Sequence, residues 1–441
     1  MTNFTDENLL PKDKNKNVLV IGQGGREHAI CQAFKNSSQV EKIYIIPGNA
    51  GTKRIAENID YIADNDFEKI ANFCFEKKID LVFIGPEQPL TLGIVDYLSN
   101  RGIAVFGPNQ KSAQLEGSKV FMKKLASDNN IPTAQYQTFT EINEALKFIN
   151  QIGFPAVIKT DGLASGKGVI IVENFSQAKQ TIDEIFAGKF GEAGKKIIIE
   201  EFLTGFEVSY FVICDGKNFL PLGFVHDHKK VGENETGLNT GGMGTFSPSP
   251  FISDQLEQKI IDQIIRPTLN GLEKISCPYQ GILFAGLMIN NDQPKLLEFN
   301  IRFGDPETQV LLPRIKSDFY QLIKSAIDCK INQFKIEFFE QKKMVCVVIC
   351  SNGYPKDYKK NIEIKDLAKI ENDLPSDQSL QVLHAGTKEV NQIIYANGGR
   401  VLNIVSCAES FKKARQKAYQ LIEKINWHEG FVRKDIAKNV D

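Results

Sequence analysis

Continuous apolar runs alternate with amphipathic segments through the first quarter of the chain. Residues 18–21 (VLVI) are typical of a strand buried on both faces, and the next segment places Ile30 and Phe34 on one helical face. Further buried strands are predicted at 42–46, 80–84 and 103–106. Because helices separate these strands, residues 17–117 are predicted to form a doubly wound α/β domain with a parallel sheet. Ligands of such sheets bind at the carboxyl ends of the strands.

The middle of the chain carries a glycine-rich loop between two β-branched strands. The first strand ends at Lys159, the loop spans 161–168, and the second strand covers 169–172. The glycines expose backbone N–H groups, and Lys159 and Lys167 add positive charge, so the loop suits a polyphosphate. A P-loop is excluded because the spacing is one residue short, Gly168 replaces Ser or Thr, and a strand follows. A hairpin turn with solvated lysines remains the alternative from this stretch alone.

A second glycine-rich turn, 22–28 (GQGGREH), follows the first strand. A dinucleotide site is disfavoured, because Glu27 stands at the third glycine position of the fingerprint and no acidic residue ends the second strand. Two interpretations remain open. Either one phosphate binds at the helix N-terminus beside Arg26, or the glycines only let the strand and the helix pack closely.

A row of polar residues ends the hairpin predicted at 281–300. Glu298 and Asn300 are two apart and therefore share a strand face, where carboxylate and amide oxygens suit a hard cation such as Mg²⁺. If the strand continues, Arg302 projects the same way and forks onto a phosphate or carboxylate. A polar strand edge is the alternative, but it does not explain why the row follows an apolar pair.

Two stretches between the glycine loop and this hairpin are further candidates for a binding cleft. Residues 200–203 (EEFL) combine acids with apolar side chains, as an adenine edge requires, and strands are predicted at 208–214 and 219–224. His226 and His228 would share a face, but no further ligand follows at zinc spacing, so a metal role for them is the minor interpretation.

The next stretch, 236–250, is predicted to be a glycine-rich loop without regular structure, which in a compact domain is usually functional. After residue 331, strands at 344–350 and 400–405 and an amphipathic helix predict a packing domain that closes one wall of the cleft.

Composition narrows the class of protein. The 441 residues carry a formal net charge of −1 without a basic tract, so neither nucleic acid nor a membrane surface is predicted as a partner. No apolar run is long enough to span a bilayer, and the eight cysteines contain no C-x-x-C pair, so we predict a cytoplasmic protein with reduced thiols. We also expect a monomer. Residues 1–16 are polar and are predicted to be a disordered extension.

Ten motifs in a fixed order, over residues 17–436, resemble one family. They are VLVIGQGGREHA, PGNAGT, GPEQPL, QLEGSK, IKTDGLASGKGV, IEEFLTGFE, DHKK, NTGGMG, EFNIRFGDPETQ and HAGT. They are similar to those of the phosphoribosylamine–glycine ligases, the glycinamide ribonucleotide synthetases of the ATP-grasp superfamily. The resemblance implies an N-terminal substrate-binding domain (17–117), a two-lobed ATP-grasp domain (118–330, lid lobe about 133–195) and a small C-terminal α/β domain (331–441).

The resemblance also assigns residues to ligands. It implies ATP at Lys119, Lys159, Gly166, Lys167, Gly168, Glu200, Glu201, Phe202, Leu203 and Glu207. It implies Mg²⁺, or Mn²⁺ in its place, at Glu298 and Asn300. It implies phosphoribosylamine at Gly24, Gly25, Arg26, Asn49, Glu87 and Arg302. It implies glycine near Asp227 and Lys229, with Asp227 as our candidate acceptor of the amine proton.

The implied reaction joins glycine to 5-phosphoribosylamine in purine (IMP) biosynthesis through glycyl phosphate, with release of ADP and phosphate. One departure from the wider superfamily is that 284–289 (FAGLMI) supplies no further metal carboxylate. The first alternative is another ATP-grasp enzyme of purine synthesis, of the formate-dependent transformylase or carboxylase type. An NAD-linked oxidoreductase and a nucleotide-binding regulator without turnover are the others.

Overall fold

The computed structural model describes residues 15–162, 168–438 and 440. The predicted extension over 1–16 falls almost wholly outside these residues, and so do Gly166 and Lys167 of the predicted phosphate loop. The described residues form an N-terminal parallel-sheet domain, a two-lobed centre and a C-terminal α/β region, which is the predicted fold class.

The N-terminal domain alternates strands and short helices. Its elements are β1 (Lys16–Gly22), α1 (Gly25–Lys35), β2 (Val40–Pro47), β3 (Glu57–Asn58), α2 (Phe67–Glu76), β4 (Leu81–Ile84), α3 (Glu87–Thr91), α4 (Ile94–Ser99) and β5 (Val105–Phe106). The strands pair in parallel in the order β3-β2-β1-β4-β5. Val18 and Val20 face one hydrophobic core and Leu19 and Ile21 the other, because side chains alternate along a strand. Both faces are therefore covered, which explains the continuous apolar run.

The lid lobe follows two helices that lead out of this domain. The elements are α5 (Gln114–Gly117), α6 (Lys119–Asp128), β6 (Tyr136–Phe139), α7 (Ile142–Ile152), β7 (Ala156–Thr160), β8 (Val169–Val172), α8 (Phe175–Glu184) and β9 (Ile197–Glu201). Its strands pair antiparallel in the order β6-β9-β7-β8 and bury a small core of their own with α7 and α8. The predicted strand at 169–172 is confirmed as β8, so the predicted phosphate loop joins two paired strands.

The larger lobe is built on long antiparallel strands. Its elements are β10 (Phe206–Asp215), β11 (Phe219–Asp227), β12 (Lys230–Gly232), β13 (Thr236–Asn239), β14 (Gly244–Ser247), α9 (Asp254–Ile260), α10 (Arg266–Lys274), β15 (Gln280–Asn290), β16 (Gln293–Asn300), α11 (Thr308–Leu311) and α12 (Phe319–Ile327). A π-helical turn, Ile261–Ile265, joins α9 to α10.

The C-terminal region continues the same sheet. It contains β17 (Lys343–Ser351), β18 (Ile362–Glu363), α13 (Leu367–Asn372), β19 (Leu380–His384), β20 (Thr387–Val390), β21 (Ile393–Ala396), β22 (Arg400–Ala408), α14 (Phe411–Ile422) and β23 (Gly430–Phe431). The large sheet has the order β16-β15-β10-β11-β14-β17-β22-β19, with β23 beside β17. One hydrophobic core, which includes Phe34, Phe246 and Phe411, connects the N-terminal domain to both regions.

The prediction of a structureless loop over 236–250 is wrong, since β13 and β14 lie within it. Strand β14 pairs with β11 on one side and with β17 on the other, and so joins the two regions. This strand is hard to predict from the sequence because it is only four residues long, begins at the third glycine of the run GGMG, and pairs with a segment about a hundred residues later.

Within the described residues, no helix combines the length and the apolar character needed to cross a membrane. The eight cysteines are free thiols, and six of them are buried.

Candidate active site

A buried glutamate and two lysines lie where the lid lobe meets the larger lobe. Lys159, near the end of β7, places Nζ 3.0 Å from Oε2 of Glu200 and donates to the carbonyl of Leu297 at 3.3 Å. The other oxygen of Glu200 lies 3.2 Å from Nζ of Lys123, which is fully buried. Glu200 is predicted at the adenine, and the structure places its carboxylate between these two lysines. Burial lowers the pKa of Lys123 to about 8, against the opposing charge of Glu200.

The first turn of α6 is tied to the beginning of the phosphate loop. Ser118 caps the helix, and its hydroxyl also donates to Oδ1 of Asp161 at 3.0 Å. Lys119 donates from Nζ to the carbonyl of Gly162 at 3.0 Å. Burial lowers the pKa of Lys119, while the charge of Glu298 opposes this shift. Lys119 and Lys159 therefore face the cleft from two different elements.

Glu298 and Asn300 lie at the carboxyl end of β16, two residues apart on one strand face. Burial raises the pKa of Glu298, but the surrounding cations lower it further, so the net shift is downward. Those cations are Lys229, Lys159, Lys119 and Arg302. An ionised carboxylate beside an amide oxygen fits a divalent cation that takes its remaining ligands from phosphates and water. Among the described residues, no group of three or more His, Cys, Asp or Glu is arranged to hold a metal.

Arg302 is expected to project with Glu298 and Asn300 if the strand continues, but β16 ends at Asn300. Its Nε lies 3.2 Å from Glu87 and its Nη2 lies 3.0 Å from Glu116. Although burial opposes the charged form, Arg302 and Arg26 lower the pKa of Glu87 to about 2. The guanidinium therefore ties the N-terminal domain to the strand that carries Glu298.

Asp227 is the last residue of β11 and lies beside the glycine-rich residues 240–243. Among the described residues, its Oδ1 has no hydrogen-bond partner, although this atom is buried. Burial and the nearby carboxylate of Glu307 raise the pKa of Asp227 well above its usual range, against the opposing charge of Lys229. Lys229 itself lies 2.9 Å from Glu207, which raises the pKa of this lysine. Within the described parts of the chain, neither Asp227 nor Glu307 forms an ion pair, although the charges of Lys229 and Arg400 act on both acids.

The first glycine turn is closed by protein carboxylates. Gly24 is the N-cap of α1, and its N–H donates to Glu27 at 2.6 Å. The N–H of Arg26 donates to Asp305 at 3.3 Å, and the Arg26 side chain is almost fully buried. A Cβ on Gly25 would lie 2.3 Å from Nδ2 of Asn403. These contacts support the packing interpretation of the turn, although Gly24, Gly25 and Arg26 are predicted at the phosphoribosylamine.

Asn49 is also used within the protein. Its Oδ1 accepts from the N–H of Gly51 at 2.9 Å, and its Nδ2 donates to the carbonyl of His384 at 2.9 Å. His384 comes from the HAGT motif of the C-terminal region, so this motif holds the second N-terminal turn in place.

The predicted adenine segment, 200–203, consists of the last two residues of β9 and the two residues that follow it. Glu201 lies on the opposite strand face from Glu200 and pairs with Lys295 at 2.9 Å near the surface. Phe202 is among the exposed large apolar side chains, and Leu203 is half-buried beside it. An exposed aromatic ring two residues after Glu200 is consistent with the predicted base-binding role.

The two histidines of the predicted cleft have protein partners. Nε2 of His226 lies 2.7 Å from the hydroxyl of Ser249, and Nδ1 of His228 lies 3.1 Å from Glu235. These contacts give both side chains a structural role.

Three family models match the chain in order. They are the phosphoribosylglycinamide synthetase N domain over 16–116, ATP-grasp (A) domain over 117–308 and C domain over 344–439. The chain belongs to the phosphoribosylglycinamide synthetase family. The predicted family, fold class and enzyme class, a ligase, are confirmed. The predicted domain boundaries and ligand assignments stay predictions.

Individual relatives agree with membership of the phosphoribosylglycinamide synthetase family. A phosphoribosylamine–glycine ligase from Brucella melitensis is 45% identical over 420 residues, which are 95% of this chain and 97% of the relative. The crystal structure of a phosphoribosylamine–glycine ligase from Thermotoga maritima matches with a TM-score of 0.80 at 33% identity, over 96% of this chain and 100% of that chain. The biotin carboxylase domain of a Hydrogenobacter thermophilus 2-oxoglutarate carboxylase, crystallised with MgADP and bicarbonate, shares the fold at 16% identity and a TM-score of 0.72, over 95% and 92% of the chains.

Sequence reasoning missed several charged residues of this phosphoribosylglycinamide synthetase site. Lys123 follows Lys119 by about one helical turn, so helical spacing was an available signal. Glu116 and Glu307 lie inside two of the matching motifs but received no role. Arg400 enters the site from β22, and no local pattern in the sequence indicates this.

Proposed function

We propose that the protein is an ATP-dependent ligase that joins glycine to 5-phosphoribosylamine, giving glycinamide ribonucleotide, ADP and phosphate in purine biosynthesis. The observation that carries this proposal is the convergence of cations on Glu298. Three lysines act on this one carboxylate: Lys119 of α6, Lys159 of β7 and Lys229 after β11. Together with Arg302, their positive charges lower the pKa of Glu298. Such a site suits a triphosphate, a divalent ion and a second anionic substrate.

Activation of the glycine carboxylate is the chemical problem that this site addresses. A carboxylate is a poor electrophile, so one of its oxygens first attacks the γ-phosphorus of ATP, and ADP leaves. The amine of phosphoribosylamine then attacks the acyl carbon of glycyl phosphate, phosphate leaves, and the amine loses a proton. Phosphoryl transfer depends on positioning and charge neutralisation, which Lys119 and Lys159 supply. No nucleophilic side chain is required.

The nucleotide is assigned to the cleft between the lobes. Lys119 and Lys159 bind phosphate oxygens with the loop that ends at Gly168. Glu200, Phe202 and Leu203 receive the base, and Glu207 receives the ribose. Mg²⁺, with Mn²⁺ as a substitute, is assigned to Glu298 and Asn300, where it would neutralise charge on the phosphates. Glu200 holds Lys159 in position for this role.

The amino group of glycine is assigned to Asp227. The unpartnered Oδ1 and the repulsion from Glu307 mean that this pair of acids is stabilised by an added positive charge. An ammonium group supplies that charge and has donors for a buried carboxylate oxygen. Lys229 lies two residues further, where it suits the carboxylate of the same amino acid.

The phosphoribosylamine is assigned to the face of the cleft between the N-terminal turns and Arg302. Because Arg302 is shared between Glu87 and Glu116, a substrate phosphate there competes with one of these acids.

We further propose that the enzyme acts in the cytoplasm as a monomer. Size-exclusion chromatography with light scattering tests the oligomeric state.

The proposed function is tested by ADP release measured with glycine and freshly prepared phosphoribosylamine, each omitted in turn. We expect release to require both substrates. Formate and bicarbonate in place of glycine test the alternative of a transformylase or carboxylase. ADP release driven by either of these, but not by glycine, contradicts the proposal.

A further inference from the structure

The glycine-rich loop beside Asp227 is anchored from two different regions of the protein. On the side of the larger lobe, the N–H and the hydroxyl of Thr240 both donate to the carbonyl of Lys229 at 2.8 Å. The N–H of Met243 donates to the carbonyl of His228 at 2.9 Å. The loop 240–243 therefore fixes the backbone that carries Lys229, immediately after Asp227.

The C-terminal region holds the opposite side of the same loop. The N–H of Gly241 donates to the hydroxyl of Tyr354 at 3.0 Å, and the carbonyl of Gly241 accepts from Nη1 of Arg400. Further along, the N–H of Val348 donates to the carbonyl of Met243 at 3.0 Å. Both polar groups of Gly241 are thus bound by side chains from outside the ATP-grasp domain.

Arg400 also reaches the strand-end motif that carries Glu307. Its Nη1 donates to the carbonyl of Asp305, and its Nη2 lies 3.6 Å from Oδ1 of the same residue. Space for Tyr354 is provided by Gly399, where a Cβ would lie 2.3 Å from the tyrosine ring. The turn 397–400 (NGGR) therefore brings Arg400 and Tyr354 together on the two peptide groups that flank Gly241.

The loop approaches Asp227 closely. Gly242 has φ +111°, and a Cβ there would lie 2.7 Å from Oδ1 of Asp227 and 2.5 Å from Cδ of Pro306. A shift of the loop by a fraction of an ångström therefore changes the space around the carboxylate oxygen that lacks a partner.

We propose that Arg400 and Tyr354 are positioning residues for amino-acid binding, acting through the loop 240–243 on Asp227 and Lys229. This inference rests on the proposed function, because it takes the amino acid to bind at Asp227. It gives the C-terminal region a role in substrate binding that packing alone does not require.

The test compares Tyr354→Phe and Arg400→Lys with two matched controls inside the C-terminal region. Tyr419 donates its hydroxyl to the carbonyl of Arg433, and Arg415 donates to the carbonyl of Ile436. Tyr419→Phe and Arg415→Lys therefore remove similar bonds that do not touch the loop. Circular dichroism and thermal melting check that all four variants fold.

We expect the KM for glycine to rise about fivefold in Tyr354→Phe and about tenfold in Arg400→Lys, because a neutral and a charge-assisted hydrogen bond are lost. The KM for ATP in the two loop variants, and the KM for glycine in the two controls, should change by less than about twofold, because these substitutions remove no contact of the affected site. Hydrogen exchange in the loop peptide should be faster in both variants. Because both side chains bind the backbone of the same residue, Gly241, the KM for glycine in the double variant should rise by less than the product of the two single effects.

An unchanged KM for glycine in the folded variants, or an equal change in the controls, overturns this inference while wild-type turnover with glycine stands. If the wild-type enzyme itself releases no ADP in response to glycine, the proposed function fails, and this inference fails with it.

Discussion

Replacement of Glu200 by glutamine should destabilise the lid lobe far more than the same change at its neighbour Glu201. Glu200 is almost fully buried and lies 3.0 Å from Lys159 and 3.2 Å from Lys123. Among the described residues, Glu200 is the carboxylate in direct ion-pair contact with these two lysines, so the substitution removes that contact from two buried ammonium groups. Removing one member of a buried ion pair typically costs about 3–5 kcal/mol.

Glu201 provides the control because it differs mainly in exposure. Its ion pair with Lys295 spans 2.9 Å, but the two side chains are 34% and 42% exposed. An exposed pair of this kind contributes about 1 kcal/mol or less, because water and salt screen it. The two substitutions change the same atoms on adjacent residues of one strand.

The assay is native-state hydrogen exchange, which measures the local free energy of opening of β7 and β9 without assuming that the whole chain unfolds in one step. We expect opening of these strands to cost about 3 kcal/mol less in Glu200→Gln and about as much as wild type in Glu201→Gln. An equal fall in the free energy of opening in the two variants would refute the claim that burial of the ion pair decides how much stability is lost.

Three further predictions concern the cleft. Glu298→Ala should lower glycine-dependent ADP release on the order of a hundredfold or more, since charge stabilisation of the phosphates is lost, while circular dichroism stays unchanged; normal turnover would remove Glu298 from the metal site. Gly242→Ala should raise the KM for glycine strongly because its Cβ would meet Asp227 at 2.7 Å, whereas Gly188→Ala, at φ +99° with nothing within 4 Å, should cost only about 1 kcal/mol of stability. Burial lowers the pKa of His226 to about 4. Between about pH 6.5 and 4 this histidine is therefore protonated in the unfolded chain but neutral in the folded chain. Urea titrations should therefore show stability falling between about pH 6.5 and 4, with a shallower slope in His226→Gln, and equal slopes would count against this assignment.

The parallel N-terminal sheet could be predicted because its physical cause is local. A strand covered on both faces must be apolar throughout, and 18–21 and 81–84 carry that pattern in the sequence itself. The phosphate-loop hairpin could be predicted for a related reason, since β7 and β8 are neighbours in the chain and pair directly. That Glu298 and Asn300 share a face could be predicted from the two-residue repeat of a strand alone, since both lie in β16.

Other features depend on contacts between distant parts of the chain and left no local pattern. Strand β14 owes its conformation to pairing with β17, and Gly241 owes its position to Tyr354 and Arg400. The first glycine turn left two interpretations open because the sequence did not show that Asp305, about 280 residues later, binds the N–H of Arg26.

The central claim is that the cleft activates glycine as a mixed anhydride with phosphate. Mass spectrometry of the phosphate released from glycine labelled with heavy oxygen in its carboxylate tests this most directly. If a glycine oxygen attacks the γ-phosphorus, each phosphate released with a molecule of product carries one labelled oxygen. Unlabelled phosphate, formed at the same rate as glycinamide ribonucleotide, would contradict the account.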